Sequence, residues 1–323
     1  MSEKHQCCYV SPEGFSCKEK TDGRNLCYWH DAETLKKEPD LKARLEQQSK
    51  QQSIMQGYDL RRTDLNDVNL VNHGSKTGFD LRYCDFYRSN LQKAHLFAAN
   101  LESASLMKAD LRGANLHCAN LKNANLLGTR LEGARLDHVQ WGHYVAQEQI
   151  ARKSETETVR LDYFEQAEEV YRNLRRVLEN EGLFEQAGYF FRREMVMRRY
   201  QMPLWSTQRM VSKMVDLFCG YGERPLRVIV FSVMMILGYA IVFFTNGVID
   251  SEELLQFNSE ASLSDNIVSF LNVLYFSVVT FTTLGYGDIT PVGWNRFFTA
   301  AEAFSGSFTL ALFVVVFVKK MTR

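Results

Sequence analysis

The chain has 323 residues, with 38 basic and 38 acidic side chains and a formal net charge of zero. That length predicts about two domains, and neutrality argues against a dedicated nucleic-acid binder, which needs a basic face. The last 99 residues carry only 12 charged side chains against 64 in the first 224, so a wholly soluble protein is excluded.

The chain opens Met1-Ser2-Glu3-Lys4-His5-Gln6-Cys7-Cys8 without an apolar h-region. The first half is therefore expected in the cytosol, where cysteines serve as thiols or metal ligands rather than disulfides. Cys7, Cys17, Cys27 and His30 follow the spacing C-x9-C-x9-C-x2-H, with Cys8 as a spare. Four soft ligands, with Gly14 and Gly23 available for turns, suit tetrahedral Zn²⁺. Segment 1–32 has too little apolar content for a core of its own, so a metal would supply its folding energy. The spacing departs from paired C-x2-C arrangements, and an iron–sulfur or redox-active thiol site and ordinary free cysteines are the alternatives. Residues 33–57, rich in Lys, Glu and Gln, read as a helical or flexible linker.

A strict period of five begins at Leu81. Thirteen positions from 81 to 141 are all Leu except Phe86 and Trp141, and two residues before each from 86 on, Cys84 to Val139, lies a small residue, Ala at eight of twelve places. Asn or Asp usually stands between, as in Ala109-Asp110-Leu111. Leu60, Leu65 and Leu70 keep the spacing in a shifted register, and His73–Gly78 interrupts it. A period of five fits neither an α-helix nor a strand; it fits a coil whose every side is one five-residue unit, with the small residue and Leu inward. This resembles the pentapeptide-repeat family. The resemblance covers residues 58–141 and implies a right-handed, quadrilateral β-helix of roughly four coils. One role in that family is imitation of DNA by an acidic solenoid. With 11 basic and 9 acidic side chains over 59–141, that role is not expected here, and a stiff spacer or docking surface is.

Residues 142–203 are expected to be a helical connector. Leu161, Phe164, Ala167, Val170, Tyr171, Leu174 and Leu178 repeat at helical spacing, Gly182 breaks the pattern, and Ala187, Phe190, Phe191 and Met195 resume it, which predicts a hairpin over 157–200. It is weakly similar to a tetratricopeptide unit; a connector that packs subunits together is preferred over peptide binding. In segment 204–223, Met210, Val211, Met214, Val215 and Phe218 form one stripe. They predict an amphipathic helix along the inner membrane face, with packing on the soluble domain as the competing reading. Gly220-Tyr221-Gly222 reads as the turn where the chain enters the bilayer.

Within the pore domain, 224–323, two runs of 22 residues, Val228 to Ile249 and Phe297 to Val318, are each long enough to cross the hydrocarbon core. Spans are predicted at about 226–248 and about 295–318. Arg224 and Arg227 precede the first; Lys319, Lys320 and Arg323 follow the second. Residues 246–265 carry Asp250, Glu252, Glu253, Glu260 and Asp265 and no basic residue. Positive-inside bias then puts both ends in the cytosol, so the middle run, with a helix at about 266–282, must dip in and return on one side.

That run ends Thr282-Thr283-Leu284-Gly285-Tyr286-Gly287-Asp288, with Pro291 beyond. It resembles the selectivity filter of potassium channels of the two-span, one-pore-loop type, a resemblance covering about residues 224–320. It implies a homotetramer around one pore. Backbone carbonyls of Thr283, Leu284, Gly285 and Tyr286, with the Thr283 hydroxyl, would replace the hydration shell of K⁺. The resemblance places Gly287 and Asp288 at the end of the filter, with Asp288 at the outer mouth and Tyr286 packed outward. Leu284 stands where that family more often has Val. Gly306 is a candidate gating hinge or a point of close helix packing, and Glu302 is expected to reach a buried hydrogen-bond partner behind the pore loop.

The fold expected is thus a multidomain membrane protein: β-helix, helical connector, and a two-helix plus pore-loop domain. The leading function is a K⁺-selective channel in the bacterial inner membrane, with cytoplasmic termini. Only three residues follow Lys320, so its N-terminal region is expected to regulate it through an unidentified protein or ligand. The alternative is a membrane-tethered scaffold with a vestigial pore. No nucleophile–base constellation or phosphate loop points to an enzyme.

Overall fold

The computed structural model describes residues 5–21, 23–51, 54–251 and 253–322; Glu252 and Arg323, two charges of the topology argument, lie outside them. The chain divides into two units, Met1–Ser206 and Thr207–Arg323.

In the first unit the five-residue period is a stack of turns. Each Leu carbonyl accepts from the small residue three positions on, as in Ala94 N to Leu91 O at 3.1 Å and Ala99 N to Leu96 O at 3.1 Å. The second residue after each Leu from Leu60 to Leu136 is left-handed wherever the period holds, including Arg62, Lys93 and Lys108. Where Asn or Asp precedes the row residue its presence is explained: its side-chain oxygen accepts the amide two residues on, as Asp85 does from Tyr87 at 2.9 Å, an Asx turn that closes the corner. Successive coils join through parallel bridges offset by 20 residues, such as Asn100 with Asn120, so one coil takes four repeats. The first coil is offset by 26, Asp59 pairing with Asp85. The six extra residues are the interruption at 73–78, extruded without disturbing the stack. The Leu row and the Ala row are buried throughout, each Leu contributing about 1.5–3 kcal/mol.

Both ends of this stack are covered. At the start, β1 (His5–Gln6) pairs antiparallel with β2 (Lys20–Thr21), and α1 (Leu41–Lys50) buries Leu41 and Leu45. Glu46 of α1 accepts from Asn69 N at 2.8 Å. Of the two alternatives for this segment, helical or flexible, residues 41–50 are helical, and the helix is docked on the stack; two buried Leu are too few to show the docking by periodicity. At the far end lie α2 (Ala146–Lys153), α3 (Glu157–Asn180) and α4 (Phe184–Tyr200). Trp141, the last position of the row, donates to Gln186 at 3.1 Å and packs edge-on to Phe190, while Asn173 donates to Thr129 O at 2.8 Å. Phe164, Ala167, Val170, Tyr171, Leu174 and Leu178 of α3 are buried as their spacing predicts, while Leu161, the first of that series, is half-buried. On α4 the buried residues are Ala187, Gly188, Phe190, Glu194, Val196 and Met197; Phe191 and Met195 are only half-buried. Glu148 of α2, fully buried, is compensated by Tyr171, Arg152 and Arg193, the only way a charge is tolerated at that depth.

In the second unit α5 (Thr207–Cys219) leads through left-handed Gly220, Tyr221 and Gly222 into α6 (Pro225–Asn246), whose first helical residue is proline. Proline suits that position because its missing N–H would have no partner there. After α6 come β3 (Val248–Asp250), β4 (Glu253–Leu255), α7 (Leu263–Phe281), β5 (Ile289–Pro291) and α8 (Asn295–Met321). The sheet order is β4-β3-β5, all antiparallel, with Ile249 opposite both Leu254 and Thr290. Ser262 caps α7 by accepting from Asp265 N at 3.2 Å. Ala240, Phe243, Val248, Val273, Phe276 and Ile289 form the core between α6, α7 and the sheet. α6, α7 and α8 are each long and apolar enough to cross a membrane.

Candidate functional site

The segment between α7 and β5 holds the sequence-predicted filter. Phe281 closes α7, and Thr283 N and Leu284 N still bond back to Thr280 O and Val279 O, both at 3.0 Å. From there the backbone alternates in hand: Thr283 (φ 60°), Gly285 (57°) and Gly287 (78°) are left-handed, while Leu284 and Tyr286 between them are not. The two glycines adopt this at no steric cost. Thr283 does so at a cost on the order of 1 kcal/mol, with its hydroxyl donating to Thr282 O at 2.7 Å. Leu284 and Tyr286 are 60% and 68% exposed in the single chain.

Both ends of this segment are anchored. Tyr275 of α7 donates to Asp288 at 2.8 Å, and Ile289 N to the other Asp288 oxygen at 3.1 Å; the phenol holds Asp288 below the usual carboxylate range. Beyond it β5 pairs with β3, and Asn295 at the start of α8 donates to Gly247 O at 2.7 Å. Behind the segment, Gly306 of α8 lies against Phe281: a Cβ there would sit 2.0 Å from the Phe281 carbonyl oxygen. One turn away, Glu302 meets Ser277 of α7, Oε1 lying 2.5 Å from its hydroxyl oxygen. The partner expected for Glu302 is thus Ser277. Nothing in the sequence singled out this serine, one polar residue in an apolar run.

The second constellation lies in the first unit. Cys7, Cys17, Cys27 and His30 are all buried, with their ligand atoms within 4.8 Å of one another. Cys17 and Cys27 sulfurs are 3.9 Å apart, and His30 Nδ1 lies 3.6 Å from Cys7 Sγ and 3.1 Å from Cys27 Sγ. Zinc bonds of about 2.3 Å to sulfur and 2.0 Å to nitrogen, at tetrahedral angles, require separations of about 3.8 and 3.5 Å, so the cradle fits. The orientation of the imidazole is fixed from outside: Nε2 lies 2.8 Å from Gln56 O, which makes Nε2 the protonated nitrogen and turns the Nδ1 lone pair to the sulfurs. Tyr9 stacks on the ring at 3.9 Å and Tyr58 meets it edge-on at 5.3 Å. Burial lowers His30 and raises Cys17 to about 12, so both groups favour their neutral forms and metal binding would release the Cys17 proton. Cys8, the spare, is exposed. Gln56 and Tyr9 escaped the sequence reading because a backbone carbonyl and a stacking ring carry no spacing signature.

The cradle sits on the first coil. Trp29 O accepts from Asp59 N at 2.8 Å, Gln56 donates to Asp80 at 2.7 Å, and Glu13 pairs with Arg82 and accepts from Tyr83.

The family described as an ion channel matches residues 229–323, and pentapeptide repeats, in 8 copies, match 77–113 and 114–140. The chain therefore carries an ion-channel domain and a pentapeptide-repeat region, and it is a membrane protein. Among curated proteins it is similar to Protein LctB of Geobacillus stearothermophilus, 35% identical over 88 residues, and to Protein LctB of Bacillus caldotenax, 34% identical over 88 residues. Each match covers 25% of this chain and 59% of the relative's length. Among solved structures it is similar to HetL, a pentapeptide repeat protein involved in heterocyst differentiation regulation from Nostoc sp. strain PCC 7120. That match has 34% identity and a TM-score of 0.17, covering 25% of this chain and 38% of that one.

Proposed function

We propose that the protein is a homotetrameric, potassium-selective channel of a bacterial inner membrane, conducting K⁺ passively under the control of its cytosolic N-terminal region. The observation that carries this reading is the backbone of alternating hand at Thr283, Gly285 and Gly287 within the ion-channel domain. Alternation keeps successive peptide planes from reversing, so that carbonyls of Thr283, Leu284, Gly285 and Tyr286 share one side. Four such strands, with the Thr283 hydroxyls, would replace the water around K⁺, and Asp288 would stand at the outer mouth.

Three further observations support the topology. Lys319 near the end of α8 bonds to Glu223 just before α6 at 2.6 Å, so the first span begins where the second ends. α7 stops against Gly306, 11 residues beyond Asn295, a rise of about 16 Å, or half of a hydrocarbon core about 30 Å thick. The filter strand then returns to the sheet beyond α6. A helix that ends at mid-depth and a strand that goes back make a re-entrant loop. Exposed Leu226, Val230, Met234, Phe304 and Phe308 are left to face lipid or neighbouring copies.

In the proposed organisation, 1–32 is a Zn²⁺ knuckle, 33–57 links it to a right-handed quadrilateral β-helix over 58–141, 142–203 connects, 204–223 lies along the membrane and 224–323 forms the pore. Cys7, Cys17, Cys27 and His30 would hold the zinc, whose contribution is folding energy. The knuckle then serves as the cap that a solenoid needs at its open end.

Conduction of the full chain in a planar bilayer tests the reading. Ohmic K⁺ current with strong Na⁺ exclusion is expected; silence of a well-folded tetramer would favour the membrane-tethered scaffold.

A further inference from the structure

We propose that Glu302 is a neutral carboxylic acid whose proton clamps α8 to α7, making it the positioning residue that holds the pore helix behind the filter. The proposal rests on the channel reading above.

Counting hydrogens decides the protonation state. Glu302 is 0% exposed. Its Oε1 lies 2.5 Å from Ser277 Oγ, and Ser277 Oγ lies 2.9 Å from Ile236 O of α6. A hydroxyl has one hydrogen, and a carboxylate and a backbone carbonyl have none to give. An ionised Glu302 would therefore leave two short contacts with one hydrogen between them. The 2.5 Å separation also suits a serine donating to an anion. In that case, however, Ser277 presents only a lone pair to Ile236 O. With the acid protonated, Glu302 donates to Ser277 and Ser277 donates to Ile236 O, so every contact holds a hydrogen.

The second carboxyl oxygen gives an independent reason. Oε2 is buried and has no hydrogen-bond partner among the described residues. An anionic oxygen left bare in an apolar site is far costlier than the carbonyl oxygen of a neutral acid. No cation on the three packed helices compensates it. Arg227 of α6 is held by Asp216 and Lys319 of α8 by Glu223; Lys320 is near the end of α8 and Arg296 is exposed near its start. Of the remaining groups, Asp265 of α7 lies at the Ser262 cap, Tyr275 bonds to Asp288, and Tyr239 of α6 stacks on Phe243.

The clamp has a register. Glu302 and Gly306 stand one turn apart on α8 and meet Ser277 and Phe281, one turn apart on α7. A polar contact and a close backbone approach at matching spacing prevent α7 from sliding along α8, and the filter begins directly after Phe281. Through Ser277 the same bond reaches α6, so one acid links all three helices.

The test is infrared difference spectroscopy of the full chain in membranes at neutral pH, subtracting E302Q from wild type. A protonated-carboxyl band present in wild type and missing in E302Q is expected; carboxylate bands in its place would overturn the neutral acid. S277A should move that band, because the acid proton loses its acceptor, and an unmoved band overturns the clamp. E302Q, whose amide can donate to Ser277, should keep K⁺ over Na⁺ selectivity within about twofold, whereas E302A should lose at least tenfold. Wild-type selectivity in E302A overturns the positioning role. If the band and its S277A shift are found in a chain that carries no current, the clamp stands and the channel reading alone falls.

Discussion

Gly306 and Phe281 approach so closely that a Cβ on the glycine would lie 2.0 Å from the Phe281 carbonyl oxygen. The glycine lies within α8 and is not among the left-handed residues, so space is the reason for it and backbone freedom is not. Between a gating hinge and close helix packing, this contact favours packing. Gly306→Ala should push the end of α7 away, at a cost of about 1–3 kcal/mol per subunit. The expected result is lower thermal stability of the assembled pore together with weakened K⁺ selectivity. Unchanged stability and selectivity with an altered open probability would instead assign the hinge.

Gly285 makes a different demand. Its φ is 57°, and a Cβ there would meet nothing within 4 Å in the single chain. The penalty of Gly285→Ala is therefore conformational, on the order of 1 kcal/mol in each strand of the proposed tetramer. That is small against assembly and large against the match between carbonyls and a bare ion. The tetramer should assemble normally, and reversal potentials in mixed K⁺ and Na⁺ should show selectivity abolished. A K⁺-selective current from this variant contradicts the filter assignment.

What the sequence made legible follows from periodicity and density of signal. The Leu and Ala rows repeat so often that the coil, its inward face and the interruption at 73–78 could all be read from spacing, and the structure adds that the interruption equals the excess of a 26-residue offset over a 20-residue one. Cys7, Cys17, Cys27 and His30 could be read from ligand chemistry, and the chain brings them together. Residues that act once were not legible. Ser277, Gln56 and Asn295 each place one hydrogen bond at a decisive point, and a single polar residue has no period. α1 was legible only as the helical alternative for 33–57: with only Leu41 and Leu45 buried among its apolar residues, nothing in the spacing showed that it docks.

The cradle of four ligands predicts a measurable stoichiometry. Elemental analysis of purified protein should give about one zinc per chain, and Cys17→Ser or Cys27→Ser should remove it. Because the segment buries little apolar surface besides Trp29 and the thiols, metal loss should loosen residues 5–32 while the coils below stay folded. A chelator should therefore expose the knuckle to protease before it lowers the main melting transition. Deleting residues 1–56 should leave conduction and change its control; single-channel recording with and without chelator checks both. Metal-free protein with an equally resistant knuckle would point to ordinary buried cysteines.

Asp80 ties that knuckle to the coil and sets a pH dependence. Burial alone would raise its carboxyl, but hydrogen bonds from Arg82 and Gln56 outweigh burial and hold it below the usual value. The folded chain then binds fewer protons at this site than the unfolded chain does as pH falls. The stabilisation is thus complete above the unfolded value, about 3.9, and is lost as pH drops through the lower folded value. Asp80→Asn removes the titration while keeping the shape. The difference in Tm between wild type and this variant should be constant from neutral pH to about 5 and shrink below about 4. Thermal unfolding of the detergent-solubilised full chain, followed at several pH values, measures it. A difference that stays the same down to about pH 3 would remove Asp80 from the joint, because a group that does not titrate with folding contributes no such slope.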